Sequence, residues 1–191
     1  PFTMGRGPVG VIAVTSDAGL LGGLNQQVIT AALREYRKEP GEFVVVGTRG
    51  VSYVREHRCA CREFPGIQEE TRRSLAEQVR DYALNQVLQG RLGSLVIAYP
   101  RAISFAVQRI ETIQVLPCQA WLKGSDPAAR NIRGGPVLME SPVGRVLEYV
   151  VWVWLAEKLY ETFGSSRLSE FGARAAHLAG RRQFAVRPFR I

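Results

Sequence analysis

The chain is poor in the residues that build metal and redox centres. Its 191 residues include 3 Cys and 2 His. Cys59, Cys61 and Cys118 are odd in number and stand at no metal-ligand spacing from His57 or His177. No metal, zinc or redox cofactor is therefore expected, and the thiols read as small side chains kept reduced. Long apolar runs are also missing. The longest, Tyr149 to Ala156, is bounded by Glu148 and Glu157, well short of the ~20 residues that cross a bilayer, and no signal-peptide pattern is visible. The glycines show no G-x-G-x-x-G spacing, no Walker Lys follows them, and nothing resembles a nucleophile elbow. Ser16, Asp17 and His57 are too generic to make a triad.

What is present is charge and a full complement of apolar residues. A net charge of +8 attracts nucleic acid, anionic lipid or acidic protein. The basic residues are scattered, denser only at Arg181, Arg182, Arg187 and Arg190, and accompany no zinc-finger, RNP or helix-turn-helix signature. This distribution weakens the nucleic-acid option, and a basic face toward a protein or a membrane surface fits equally well. With 46% hydrophobic residues, the chain can bury one full core.

Strand and helix signals alternate from the start. Val9 to Thr15 reads as a strand buried on both faces, followed by a helix over Gln26 to Lys38. A second strand over Phe43 to Val46 leads to a helix over Val51 to Glu56. Arg58 to Phe64 reads as a third strand with Cys59 and Cys61 on one face. Thr71 to Gln89 is an amphipathic helix with Leu75, Val79, Tyr82, Ala83 and Val87 on one side. Ser94 to Tyr99 is the fourth strand. The few residues from Pro100 to Ala106 leave no room for a crossover, so Val107 to Leu116 returns antiparallel. The prediction is a three-layer α/β/α sandwich on a mixed five-stranded sheet.

After residue 120 the composition shifts. The globular domain spans 1–120, and 121–142 is an irregular excursion dense in turn formers such as Gly124, Pro127, Gly134, Gly135 and Pro136. The helical segment covers 143–180 and a basic tail covers 181–191. Val143 to Phe163 is apolar almost all round, and Ser166 to Ala179 continues it after a break near Gly164. Gly180, Arg181, Arg182 and Pro188 predict an early end to that helix. A sheet covers only one stripe of a helix, so this one needs a second partner. The expected partner is a helical segment upstream of Pro1 or on another chain.

The most specific string is Gly10 to Asn25, GVIAVTSDAGLLGGLN. Thr15, Ser16, Asp17, Gly19, Leu20, Gly22, Gly23, Leu24 and Asn25 resemble the first loop of the gamma subunit of F-type ATP synthases. Phe43 to Gly50, Leu95 to Tyr99, Ile103 with Ser104, and Ile113 to Pro117 resemble later strands of that family in order. Ser169, Glu170, Ala173 and Arg174 resemble its C-terminal helix. Ala18 and Leu21 depart from the family, which commonly has a basic residue and Cys there.

The resemblance implies a rotor component, not an enzyme, with catalysis on beta subunits. Its implied partners are the alpha and beta subunits of the catalytic ring, the epsilon subunit and the membrane c-ring. Its implied place is peripheral, on the cytoplasmic face of an energy-coupling membrane or the matrix or stromal side in an organelle. Arg133, Val137 and Leu138 fall by order at the stalk foot, near epsilon and the c-ring. Trp152 and Trp154 lie two apart and so point roughly opposite ways on a helix, which turns at least one toward a partner segment. Glu170 and Arg174 are either a solvated pair or, as the resemblance implies, contacts to the ring or to the partner helix. Two other readings stand beside this one: a free-standing gamma-like binding or assembly protein, and a small α/β enzyme using the glycine loop as a phosphate cradle.

Overall fold

The computed structural model describes residues 7–19, 21–104, 107–117 and 141–185. They form a mixed five-stranded sheet in the order β3-β2-β1-β4-β5. The strands are β1 (Val9–Val14), β2 (Pro40–Val46), β3 (Arg62–Phe64), β4 (Ser94–Ala102) and β5 (Gln108–Leu116). Neighbours are parallel from β3 to β4, and β5 returns antiparallel to β4. The helices are α1 (Leu24–Tyr36), α2 (Thr48–Glu56), α3 (Arg72–Leu88) and α4 (Val143–Ala185).

Alternation along the buried strands builds two cores. On β1 and β2, Val11, Ala13, Phe43 and Val45 meet Val28, Ile29, Ala32 and Leu33 of α1 and Val51 and Val54 of α2. Their neighbours Ile12, Val14, Val44 and Val46 point the other way, onto Leu75, Val79, Ala83 and Val87 of α3 and Val151, Leu155, Leu159 and Phe163 of α4. The period of two thus gives each strand two apolar faces, and helices cover both. This is the expected three-layer sandwich.

Several expectations need correction. The third strand is only Arg62–Phe64, so Cys59 and Cys61 precede it. Residue Arg58 takes a left-handed φ of 54°, and the Cys59 N–H donates back to Val54 O at 3.3 Å, so this stretch is the exit of α2. No break occurs at Gly164, because α4 is continuous from Val143 through Ala185. A Cβ at Gly164 would stand 3.1 Å from Nη1 of Arg72, so the glycine makes room for a crossing side chain. The early stop at Gly180 does not occur either. Helix starts also fall two or three residues earlier at α1 and α2, where the glycine turns lead directly into the helices.

Candidate subunit interface and its supporting loop

The glycine loop after β1 is held by its own polar residues. Thr15 Oγ1 donates to Val46 O at 2.6 Å, tying the end of β1 to β2. Asn25 on α1 reaches back: its Oδ1 accepts the Ser16 N–H at 3.2 Å and its Nδ2 donates to Ser16 Oγ at 3.0 Å. Ser16 Oγ in turn donates to Ala18 O at 3.0 Å. Thr15, Ser16 and Asn25 are all buried, so these bonds meet the requirement that buried polar groups be paired. Gly22 and Gly23 take φ of 59° and 84°, a left-handed turn that residues with side chains resist, and Gly23 starts α1. Gly19 lies over the Arg49 guanidinium, 3.3 Å from its would-be Cβ to Nη2.

Asp17 reaches across to the next turn. Its Oδ1 accepts the Thr48 N–H at 2.8 Å and the Thr48 hydroxyl at 3.0 Å. Gly47 at the start of α2 has no side chain to cap it, so a carboxylate from a distant loop satisfies a first-turn N–H and meets the positive end of the helix dipole.

The same loop faces α4. A cavity of about 250 Å³ lies between Asp17 and Ala18 on the loop, Ile67 and Gln68 before α3, and Arg167, Glu170 and Arg174 on α4. The motif residue Asp17 and the helix pair Glu170 and Arg174, far apart in sequence, are thereby brought together. The Glu170 side chain is 3% exposed, so the solvated-pair reading is corrected. Arg167 Nη1 donates to Glu170 Oε2 at 2.9 Å, while Arg174 Nη2 stands 4.0 Å away. Burial pushes the Glu170 carboxyl above its ordinary range, Arg167 and Arg174 pull it back, and Asp17 adds to the rise. Arg167 lies three residues before Glu170, an i,i+3 spacing that is legible in the sequence.

The tryptophans divide as the helical geometry requires. Trp154 is half-buried against the α3 and α4 core. Trp152 is 43% exposed, stacks on Tyr149 with centroids 6.2 Å apart and lies beneath the Arg80 guanidinium at 3.6 Å. Arg80 is buried, paired to Asp81 at 2.8 Å, and nothing in its sequence context marked it. Helix α4 is not apolar to solvent all round: Val151, Leu155, Leu159 and Phe163 are buried, whereas Val143, Val146, Tyr149, Val150 and Val153 are exposed. Arg133, Val137 and Leu138 lie outside the described residues.

Comparison with known proteins decides the family. A family model described as ATP synthase matches residues 3–180. The ATP synthase gamma chain of Clostridium beijerinckii is 27% identical over 172 residues, 88% of this chain and 58% of the relative. That of Clostridium pasteurianum is 29% identical over 163 residues, 83% and 55%. The chain belongs to the ATP synthase gamma family. It spans less than three fifths of the length of these curated relatives. The fold agrees: the Tetrahymena thermophila mitochondrial ATP synthase central stalk and c-ring structure superposes with a TM-score of 0.65 at 18% identity, over 91% of this chain and 76% of that one. The Euglena gracilis mitochondrial ATP synthase rotor gives 0.63 at 14%, over 93% and 67%.

Within this gamma-family chain the glycine loop is a packed turn. Its Thr15, Ser16, Asp17 and Asn25 side chains are committed to β2, α1 and α2. Among the described residues no helix is long and apolar enough to cross a membrane.

Proposed function

We propose that this chain is a central-stalk component of an F-type ATP synthase, a piece of rotor that couples ion-driven rotation to the catalytic beta subunits. A turning asymmetric shaft meets each beta subunit with a different face, and unequal contacts shift the balance of their open and closed states. Its partners are the alpha and beta subunits, epsilon and the c-ring, and its place is peripheral on the membrane that holds that ring. Substrate chemistry belongs to the beta subunits.

The observation that supports this reading is a seam on α4. Val143, Val150, Phe171 and Leu178 share one phase of a seven-residue repeat that is interrupted at Glu157 and Gly164, and Val146 and Val153 take the companion position three residues on, which passes to Tyr160, Arg167 and Arg174 further along. These valines, Phe171 and Leu178 are exposed, on a helix whose other side is packed on the sheet. An apolar heptad stripe left on the outside of a helix is the surface for a second helix in a coiled coil. Trp152 flanks the seam and is proposed as a contact together with Arg174, whose side chain is 41% exposed, while the buried Glu170 supports Arg174 from within the chain. Arg133, Val137 and Leu138 are proposed at the foot, toward epsilon and the c-ring. Trp154 serves the core.

The test is affinity purification of the native protein from detergent-solubilised membranes, with intact masses of bait and co-eluting chains. Alpha, beta, epsilon and c subunits together with the bait are the expected result. A bait of 21.2 kDa eluting without them overturns the rotor reading and leaves a separate gamma-like binding protein.

A further inference from the structure

We propose that the cavity between the glycine loop and α4 is a proton-controlled latch: protonation of Glu170 passes Arg174 to Asp17, and the new ion pair fastens the loop to α4. All three side chains line that cavity of about 250 Å³. The charged groups that act on Glu170 are Arg167 and Arg174 of its own helix and Asp17 from across the cavity. The wall before α3 consists of Ile67 and Gln68, which bring no charge.

Each carboxylate has one oxygen engaged and one not. Asp17 uses Oδ1 for the Thr48 N–H and hydroxyl, and among the described residues Oδ2 accepts no hydrogen bond. Gly66 makes room for that oxygen, since a Cβ there would fall 2.3 Å from Oδ2. Glu170 uses Oε2 for Arg167, and among the described residues Oε1 has no donor.

The two arginines are held differently. Arg167 Nη1 donates to Glu170 at 2.9 Å and its guanidinium lies over the Phe171 ring at 5.0 Å, so it is fixed from two sides. Arg174 Nη2 stands 4.0 Å from Glu170 Oε2, with 41% of its side chain exposed. At that distance it makes no hydrogen bond and is held by charge alone. A neutral Glu170 removes the attraction, and the carboxylate left in the cavity is Asp17. Arg174 then donates to Asp17 Oδ2 while Oδ1 stays on Thr48, so one carboxylate joins α2 to α4.

The fold favours the proton. Burial holds the Glu170 carboxyl above its ordinary 4.5, and the charge of Asp17 adds to the rise. Because such coupling is reciprocal, whatever pairs with Asp17 is bound more tightly or less tightly as Glu170 gains or loses its proton. Acidification through the Glu170 transition closes the latch and a rise in pH opens it. This inference concerns the chain itself and does not rest on the rotor reading.

A nuclear magnetic resonance titration of the full chain tests it. The Glu170 carboxyl carbon reports the proton, and the Arg174 Nε–Hε group reports its partner. Both should shift with one midpoint, above 4.5, and proton contacts between the Arg174 side chain and the Asp17 β-methylene should appear only on the acid side. Glu170→Gln, neutral at every pH, should show those contacts on the alkaline side as well. Asp17→Asn should move the Glu170 midpoint toward acid and abolish the acid-side shift of Arg174. An Arg174 signal that ignores the Glu170 transition overturns the proposal. So does a step in Arg174 that persists in Glu170→Gln, as one driven by His57 or His177 would. A Glu170 midpoint or an Arg174 shift left unchanged by Asp17→Asn overturns it equally.

Discussion

Ser169 Oγ lies 3.1 Å from the carbonyl oxygen of Pro100 and 3.0 Å from that of Ser165, sharing its one proton between strand and helix at the point where β4 runs beyond the end of β1. Pairing between β1 and β4 stops at Ala13 and Ala98, so the next carbonyl on that side of β4 has no strand to meet it. A helix distant in sequence supplies the donor, and a proline is tolerated in an inner strand because no neighbour asks for its N–H. Ser169 is fully buried. Ser169→Ala leaves that carbonyl unsatisfied and should cost about 1–3 kcal/mol, read as a lowered urea midpoint with unchanged m-value.

Asp17 and Gly66 depend on each other. A Cβ at Gly66 would run into the Asp17 carboxylate, which is engaged in capping α2. Asp17→Ala should cost about 0.5–2 kcal/mol as a lost cap. Gly66→Ala should also destabilise, by displacing the same carboxylate. In the double variant the collision is gone, so the two losses should add to less than their sum. Strict additivity in a thermal-denaturation cycle refutes the arrangement.

Glu170 gives the fold a pH dependence. Its carboxyl is raised above its ordinary 4.5, chiefly by burial, so between that value and the raised one the folded state holds the proton more tightly than the unfolded chain. Stability from this group is full below 4.5 and falls as pH rises through the raised value. The stability difference between wild type and Glu170→Gln should therefore move against the wild type from acid to neutral pH. A difference that stays flat with pH, measured by denaturant titration, contradicts this.

The tryptophans should separate stability from assembly. Trp154→Ala removes a ring from the α3 and α4 core and is expected to cost about 3 kcal/mol. Trp152→Ala removes mainly the Arg80 contact, about 1 kcal/mol. Comparing the two melting temperatures checks the order.

The α4 seam is tested by Val150→Glu. Val150 is 44% exposed, so the change should leave the melting temperature of the isolated chain within a few degrees while reducing recovery of the other subunits. Loss of fold with intact assembly would place Val150 in the core instead.

Much of this architecture was legible in local pattern. Buried strands announce themselves as short Val- and Ile-rich runs, α3 as an amphipathic repeat, and the antiparallel return of β5 follows from a connection too short to cross over. Errors arose where one residue type serves two purposes. Gly164 reads as a helix breaker, yet inside a long packed helix the tertiary contacts outweigh its roughly 1 kcal/mol cost, and its missing side chain admits Arg72. Residues Arg58 to Cys61 carried a strand pattern, but the left-handed turn at Arg58 ends α2 before a strand can start.

By itself the sequence determined the order of elements, the mixed sheet and the family, because these follow from periodicity, connection length and a specific glycine string. Only the tertiary structure decided which side of α4 is buried, that Glu170 leaves water to meet Asp17 and two arginines, and that Asp17 caps a helix far along the chain. Those relations join residues remote in sequence. Local pattern fixes what each segment wants to bury, whereas packing decides what it meets.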